Sequence, residues 1–265
     1  MTDLLGYQGK VAVVTGCASG VGAQTARLLK DAGAEVIGLD RMAVTENVDS
    51  FIAINLADEA SIAAAAEQIG PFDCLFNVAG VSSGAGDPVF VNTVNFLGPR
   101  LLTQLLLPKI RQGGAVVNVA SISAGRYADN RAQNSGLVAT QGFADGQQWV
   151  RDNADALIGG GYAVSKEATI VYTIEQALEH GAKGVRFNCI GPGVIETPFI
   201  ADTIRAKGMA ALDAIPKPLA RLSQPAEQAA ALLFLNSPIA SYVNGHVLWV
   251  DGGLFGGRAI GAIPA

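Results

Sequence analysis

Short apolar runs alternate with helix-like segments along almost the whole chain. Residues 11–14, 35–39, 51–54, 74–77, 115–119, 185–190 and 246–250 read as strands. Most of these runs are continuously apolar rather than alternating, which is the pattern that burial on both faces requires. Between them, helical periodicity predicts helices at about 21–32, 58–69, 93–111, 162–180 and 225–235. Strand, helix, strand at this spacing predicts an α/β fold. Its core would be one doubly wound, Rossmann-like parallel sheet with right-handed crossovers and helices on both faces.

One segment departs from the rhythm. About forty residues, rich in Asn, Gln, Asp and Gly, separate the fifth strand from the helix that starts near Tyr162. A structureless loop of that length is uncommon in a compact fold, so a helical insertion at about 126–160 is expected. Its bounds are Gly125 and the run Gly159-Gly160-Gly161. The tail from Gly256 is glycine-rich and is expected to be mobile or to serve a subunit contact.

Composition narrows the classes of function. Half of the 265 residues are hydrophobic and 15% are charged, enough apolar material for a large core and too little charge for a disordered chain. The net charge is −5, and no stretch supplies the basic face that nucleic acid demands. Cys17, Cys74 and Cys189 lie far apart, and His180 and His246 are separated by 66 positions, so no zinc site is expected. The start of the chain lacks the order of a signal peptide, and no apolar run approaches a bilayer span. A cytoplasmic protein that engages neither membrane nor nucleic acid is the expectation. Glycine, at 32 residues, is well above the usual ~7% and marks turns and close approaches of backbone to a ligand.

The first strand runs into Thr15-Gly16-Cys17-Ala18-Ser19-Gly20-Val21-Gly22 and then a helix. Such a turn aims free amides at a pyrophosphate and lets helix and strand approach closely. Alone it is equally explained by the steric needs of a turn; between a strand and a helix it points to a dinucleotide. Asp40 ends the second strand 18 positions beyond Gly22, where a carboxylate accepts from ribose hydroxyls and repels a 2′-phosphate. NAD is therefore expected over NADP, although the neighbouring Arg41 could pair with that phosphate.

Tyr162 and Lys166 stand four positions apart at a helix start, on one face. A free phenol titrates near 10, too high for a base at neutral pH, and a nearby ammonium together with the positive nicotinamide of an oxidised cofactor is expected to lower it. Ser121 follows the fifth strand at its carboxyl end, the edge where open α/β sheets bind ligands, and could hold a substrate oxygen against Tyr162. Asn77-Val78-Ala79-Gly80 closes the fourth strand and leaves room for a cofactor, and Asn95 places an amide on the next helix.

With these motifs in this order, joined by Gly191-Pro192-Gly193, Thr197 and Val250-Asp251-Gly252-Gly253, the chain resembles the short-chain dehydrogenase/reductase family over essentially its whole length. The resemblance implies one dinucleotide-binding and catalytic domain spanning 1–265. It makes Tyr162 the general acid/base and Ser121 the residue that positions the reacting oxygen. Lys166 would tune Tyr162 and bind the nicotinamide ribose, and Asn95 would hold a water of the proton relay. Gly16, Ser19, Gly20, Val21 and Gly22 would face the cofactor's phosphates. Asp40, Arg41, Asn55 and Leu56 would surround its adenosine, and Asn77, Ala79 and Gly80 would line its path. Pro192, Gly193, Ile195 and Thr197 would flank its nicotinamide. Asn55 stands where the family usually carries an acid.

The 41 positions between Ser121 and Tyr162 exceed the usual spacing. They are similar to the insertion of a subgroup that includes bacterial 3α-hydroxysteroid dehydrogenase and coniferyl-alcohol dehydrogenase, in whose steroid members it serves a subunit contact. A homodimer or homotetramer with an altered interface is implied.

The substrate wall is expected to come from the insertion, from residues 81–85 and from a lid at about 195–219. The lid mixes Phe199, Ile200, Ile204, Met209, Leu212 and Ile215 with Arg205, Lys207 and Lys217. That composition favours a bulky apolar alcohol or ketone, such as a steroid, a terpenoid or an aryl-allylic alcohol. Two competing readings are a non-catalytic dinucleotide sensor, which needs none of Asn95, Ser121, Tyr162 and Lys166, and a methyltransferase, which gives no reason for Tyr162 and Lys166 to share a helix face.

Overall fold

A computed structural model describes residues 3–264, with the side chains at 198, 202, 203, 206 and 207 outside that description. Seven strands form one all-parallel sheet in the order β3-β2-β1-β4-β5-β6-β7. They are β1 (Val11–Thr15), β2 (Glu35–Asp40), β3 (Ser50–Ala53), β4 (Phe72–Asn77), β5 (Ile110–Val119), β6 (Arg186–Pro192) and β7 (Val247–Val250). Side chains alternate across the sheet, so each strand feeds two cores. Val13, Leu75 and Val116 enter the core shared with α2 (Glu59–Gln68), α4 (Gly98–Leu106) and α7 (Tyr162–His180). Val14, Phe76 and Val117 enter the opposite one, built with α1 (Gly20–Asp31) and α10 (Pro225–Asn236). The strand order reverses between β1 and β4, and a cleft opens there beyond the strands' carboxyl ends.

All seven expected strands are present, with boundaries that differ locally. β5 begins at Ile110, paired with Phe72, rather than at 115. Its start carries Arg111, Gln112 and Gly113, all exposed, which hides it from an apolar-run reading. The helix expected at 93–111 starts earlier and is broken. Asp87 caps α3 (Pro88–Asn92) by accepting from Phe90 N at 2.9 Å, with Pro88 in the first turn. A π-helical turn over Thr93–Leu97, which contains Asn95, then leads into α4. Single π turns inside helices frequently accompany functional sites.

The insertion is helical, as expected, and consists of α5 (Arg131–Val138) and α6 (Phe143–Asp152). Gly159, Gly160 and Gly161 take φ of +60°, +64° and +93°, a turn that only glycine enters readily, and deliver the chain into Tyr162. The lid region contains α8 (Pro198–Lys207) and α9 (Met209–Asp213). Just before the glycine-rich tail, Leu254 is buried and Phe255 stacks on Trp249 with ring centroids 4.1 Å apart, and both begin α11 (Leu254–Ala259), which carries the first residues of the tail. Ala265 lies outside the described residues. Among the described residues, no helix is long and apolar enough to cross a membrane.

Candidate active site

The cleft has a volume of about 500 Å³ and runs from the glycine turn, past the ends of β2, β4, β5 and β6, to the lid. At one end Gly16 and Gly20 take φ of +74° and +55°. A Cβ on Gly22 would overlap the Gly16 carbonyl, and one on Gly16 would come within 2.9 Å of Ala79 Cα. The turn is therefore bare backbone drawn tightly over the start of α1, with Ser19, Gly20 and Val21 opening onto the cleft. Asp40 Oδ2 accepts from Ala18 N and Oδ1 from Met42 N, both at 3.0 Å, so the carboxylate is held in place with lone pairs still facing the cleft. Arg41, Asn55 and Leu56 line the same end, and Asn55 Oδ1 also accepts from Ala57 N at 3.0 Å. Ala79, Gly80, Pro192, Gly193, Ile195 and Thr197 line the middle, where the Thr197 methyl lies 3.4 Å from the position of a Cβ on Gly20. Amide-rich backbone at one end, a fixed carboxylate beyond it and a groove cleared by glycines fit a dinucleotide.

Ser121, Tyr162 and Lys166 meet in the middle of the cleft. Ser121 caps a short 3-10 turn, with Oγ accepting from Ser123 N at 3.2 Å, which leaves its hydroxyl proton to be donated elsewhere. Lys166 Nζ donates to Val119 O at 2.9 Å and lies 6.0 Å from the Tyr162 ring centroid. A Cβ on Gly80 would fall 3.0 Å from Asn95 Oδ1 and 3.5 Å from Lys166 Nζ, so only glycine keeps the space between those two side chains open.

The electrostatics correct one expectation. Tyr162 is not acidified by the chain itself: burial pushes its phenol above the ordinary value, with a hydrogen bond from Ser121 in opposition. Lys166 is pushed down to about 8, also by burial, with the Cys189 thiol opposing weakly. Desolvation disfavours the charged form of each group and is the leading cause of both shifts.

Two expected site residues stand outside the cleft. Asn77 is buried behind it, where Nδ2 donates to Asn118 Oδ1 at 2.8 Å and Thr103 Oγ1 at 2.9 Å, tying β4 to β5 and α4. The Asn95 amide is committed to Val81, accepting from its N at 2.8 Å and donating to its O at 3.0 Å, and so shapes the loop after β4. The insertion also departs from expectation, since it supplies no lining residue among those described. It packs on α7, α3 and the π turn, the outer side of the helical layer.

Phe90, Val94 and Ile122 line the cleft without having been singled out in the sequence. Phe90 and Val94 stand one helical turn apart on one face, a spacing that could have flagged them. Val81, Ser83, Phe199, Ile200, Leu212 and Ile215 line it as expected. Lys217 turns away and donates to Leu212 O and Ile215 O at 2.9 and 3.0 Å; the Lys207 side chain is outside the described residues.

Comparison with known proteins agrees with this geometry. Residues 10–135 match the short chain dehydrogenase family, and residues 150–255 match a companion family described as Enoyl-(Acyl carrier protein) reductase. A coniferyl-alcohol dehydrogenase of Pseudomonas sp. is 36% identical over 247 residues, covering 92% of this chain and 96% of the relative. The chain belongs to the short-chain dehydrogenase/reductase family. This short-chain dehydrogenase is also 29% identical to the 3-alpha-hydroxysteroid dehydrogenase/carbonyl reductase of Comamonas testosteroni, over 92% of the chain and 96% of the relative. Among solved structures, the 3-alpha-hydroxysteroid dehydrogenase from Pseudomonas sp. B-0831, complexed with NADH, superposes with a TM-score of 0.81 at 30% identity, covering 96% of this chain and all of that one. Both enzymes that typify the subgroup expected from the long Ser121–Tyr162 spacing are thus among its relatives. Membership removes the methyltransferase reading, and the chain is an oxidoreductase of this family.

Proposed function

We propose that this dehydrogenase interconverts an alcohol and its ketone or aldehyde on a bulky apolar ring substrate, with NAD as cofactor. The observation that carries the reading is the meeting of Ser121, Tyr162 and Lys166 with a wall of Phe90, Val94, Ile122, Phe199, Ile200 and Leu212 in one cleft. Asp40, Arg41 and Lys166 are the charged side chains among its lining residues, so a phosphorylated or CoA-bound substrate would find little to pair with at the apolar end. Relatives that act on coniferyl alcohol and on hydroxysteroids support the ring-alcohol class.

The amides of the glycine turn would hold the cofactor's phosphates and Asp40 its adenosine ribose. Once bound, NAD supplies the acceptor, and NADH the donor, of a hydride. Tyr162 Oη gives a proton to the carbonyl oxygen in reduction and takes it from the hydroxyl in oxidation. Ser121 donates its hydroxyl proton to the same oxygen and keeps it beside Tyr162. Lys166, charged below about 8, stabilises the phenolate formed when the proton leaves. The lid helices α8 and α9 would exclude water from that exchange. A homodimer or homotetramer in the cytoplasm is the assembly and setting we assign, and sedimentation tests the former.

A panel of ring alcohols, followed by NADH absorbance, tests the reading. Turnover of steroid, terpenoid or aryl-allylic alcohols with NAD is expected. Turnover restricted to small charged hydroxy acids would overturn the substrate class, and NADP preferred over NAD would overturn the cofactor.

A further inference from the structure

The insertion is the covalent link between Ser121 and Tyr162, yet none of its described residues lines the cleft. Its helix α5 is held at both ends by buried charges that come from outside the insertion. At the N-terminal end stands Glu167 of α7, 1% exposed and adjacent in sequence to Lys166. Its two carboxylate oxygens accept from Asn130 Nδ2 at 2.8 and 3.1 Å. Asn134, fully buried one turn further on, donates from Nδ2 to Tyr127 O at 3.1 Å and so ties the helix to the chain that enters the insertion. At the C-terminal end stands Arg100 of α4, 5% exposed and 5.2 Å above the Phe96 ring. Its guanidinium donates to Val138 O at 3.2 Å, to Thr140 O and Oγ1 at 3.1 Å, and to Gly142 O at 3.0 Å.

A negative group at the start of a helix and a positive group at its end both complement the backbone dipole. Burying either charge carries a desolvation penalty, and apolar side chains of similar volume would hold the helix as well if stability alone mattered. Positional specificity is what charges add. Gln133 of α5 extends the hold, donating to Ala156 O at 2.8 Å and accepting from Ile158 N at 3.1 Å, so the helix also grips the segment that enters Tyr162. The three left-handed glycines between that segment and α7 form a joint that has little stiffness of its own.

We propose that α5 is a brace clamped between Glu167 and Arg100 that fixes the spacing of Ser121 and Tyr162, making Glu167 and Arg100 positioning residues for the reaction. The proposal rests on the roles given above to Ser121 and Tyr162. Displacement of a reacting group by about 1 Å can cost up to a hundredfold in rate, so a slack brace should be read in turnover rather than in cofactor binding.

The test uses Asn130→Ala, Glu167→Ala and the double variant, with Glu167→Gln as the conservative variant. Turnover, KM, NADH affinity and amide exchange across 131–138 are measured in each. Either single alanine variant should lower kcat about tenfold and speed exchange in α5, with KM and NADH affinity within about twofold of wild type. The double variant should be no slower than the worse single one, because both break the same clamp. Glu167→Gln, which keeps an acceptor for Asn130, should recover most of the rate. An unchanged kcat in Asn130→Ala, or additive losses in the double variant, overturns the proposal. If Glu167→Ala no longer binds NADH, Asn130→Ala and Glu167→Gln decide the matter between them. Amide exchange reports on the brace whatever the identity of the proton donor, whereas activity of Tyr162→Phe reports on the donor alone, so the two readings can fail separately.

Discussion

Replacing Gly22 by alanine isolates the steric argument for the cofactor end of the cleft. Gly22 has no left-handed φ to lose, so the substitution adds a methyl group and little else. That methyl would overlap the Gly16 carbonyl and lie 3.2 Å from Cys17 N, against backbone that cannot swing aside as a side chain can. The carbonyl must retreat by roughly 1 Å to reach van der Waals contact. Gly16 is itself pinned, because its N donates to Leu39 O at 2.8 Å and Ala79 packs against it. Overpacking of this kind costs about 1–3 kcal/mol. The strain falls on the amides that would meet the phosphates, so NADH affinity should drop by roughly 5- to 150-fold. Gly70→Ala is the matched control: nothing lies within 4 Å of its added Cβ, and its affinity should equal that of wild type. NADH fluorescence titration of both variants, with thermal denaturation to verify folding, gives the answer. Wild-type affinity in a folded Gly22→Ala would refute the reasoning.

Other expectations follow from single side chains. Asp40→Ala frees Ala18 N and Met42 N and removes the charge that repels a 2′-phosphate, so kcat/KM with NAD should fall about tenfold while that with NADP rises; the ratio of the two is the readout. Lys166→Met should abolish most turnover yet raise thermal stability by about 2–6 °C at pH 6. The sign follows from burial: the amine titrates at about 8 when folded and near 10.4 when unfolded, so its charge destabilises the fold most below pH 8, and the penalty fades as pH rises between those values. The lost bond to Val119 O offsets part of the gain, and a lower melting temperature in Lys166→Met would contradict the account. Phe90→Ala should raise KM for a bulky ring alcohol about tenfold and leave a small secondary alcohol nearly unaffected, as steady-state kinetics would show.

The sheet was legible because burial on both faces writes continuous apolar runs, and the strand read furthest short of its true length, β5, is one whose start is exposed and glycine-containing. The glycine turn, Asp40, Ser121, Tyr162 and Lys166 were legible because each sits at a strand end or helix start that local pattern identifies. What pattern could not supply was direction. Asn77 and Asn95 carry amides that a sequence places near the cleft, but only packing decides that one bonds Asn118 and Thr103 and the other Val81. The insertion was recognisable as helical, whereas its docking on α7 and α3, with Glu167 and Arg100 buried at the two ends of α5, takes three-dimensional packing to see. Helical spacing reveals the ammonium of Lys166 near Tyr162, and only three-dimensional burial reveals the desolvation that raises the phenol and lowers the amine in the chain alone.

The central claim is that the Tyr162 hydroxyl moves the proton. Tyr162→Phe removes one oxygen and leaves the ring beside Phe199, so the cleft should keep its shape. The variant should bind NADH with wild-type affinity and lose about a thousandfold or more in kcat on the best ring alcohol. Turnover within tenfold of wild type, at the same NADH affinity, would contradict the account.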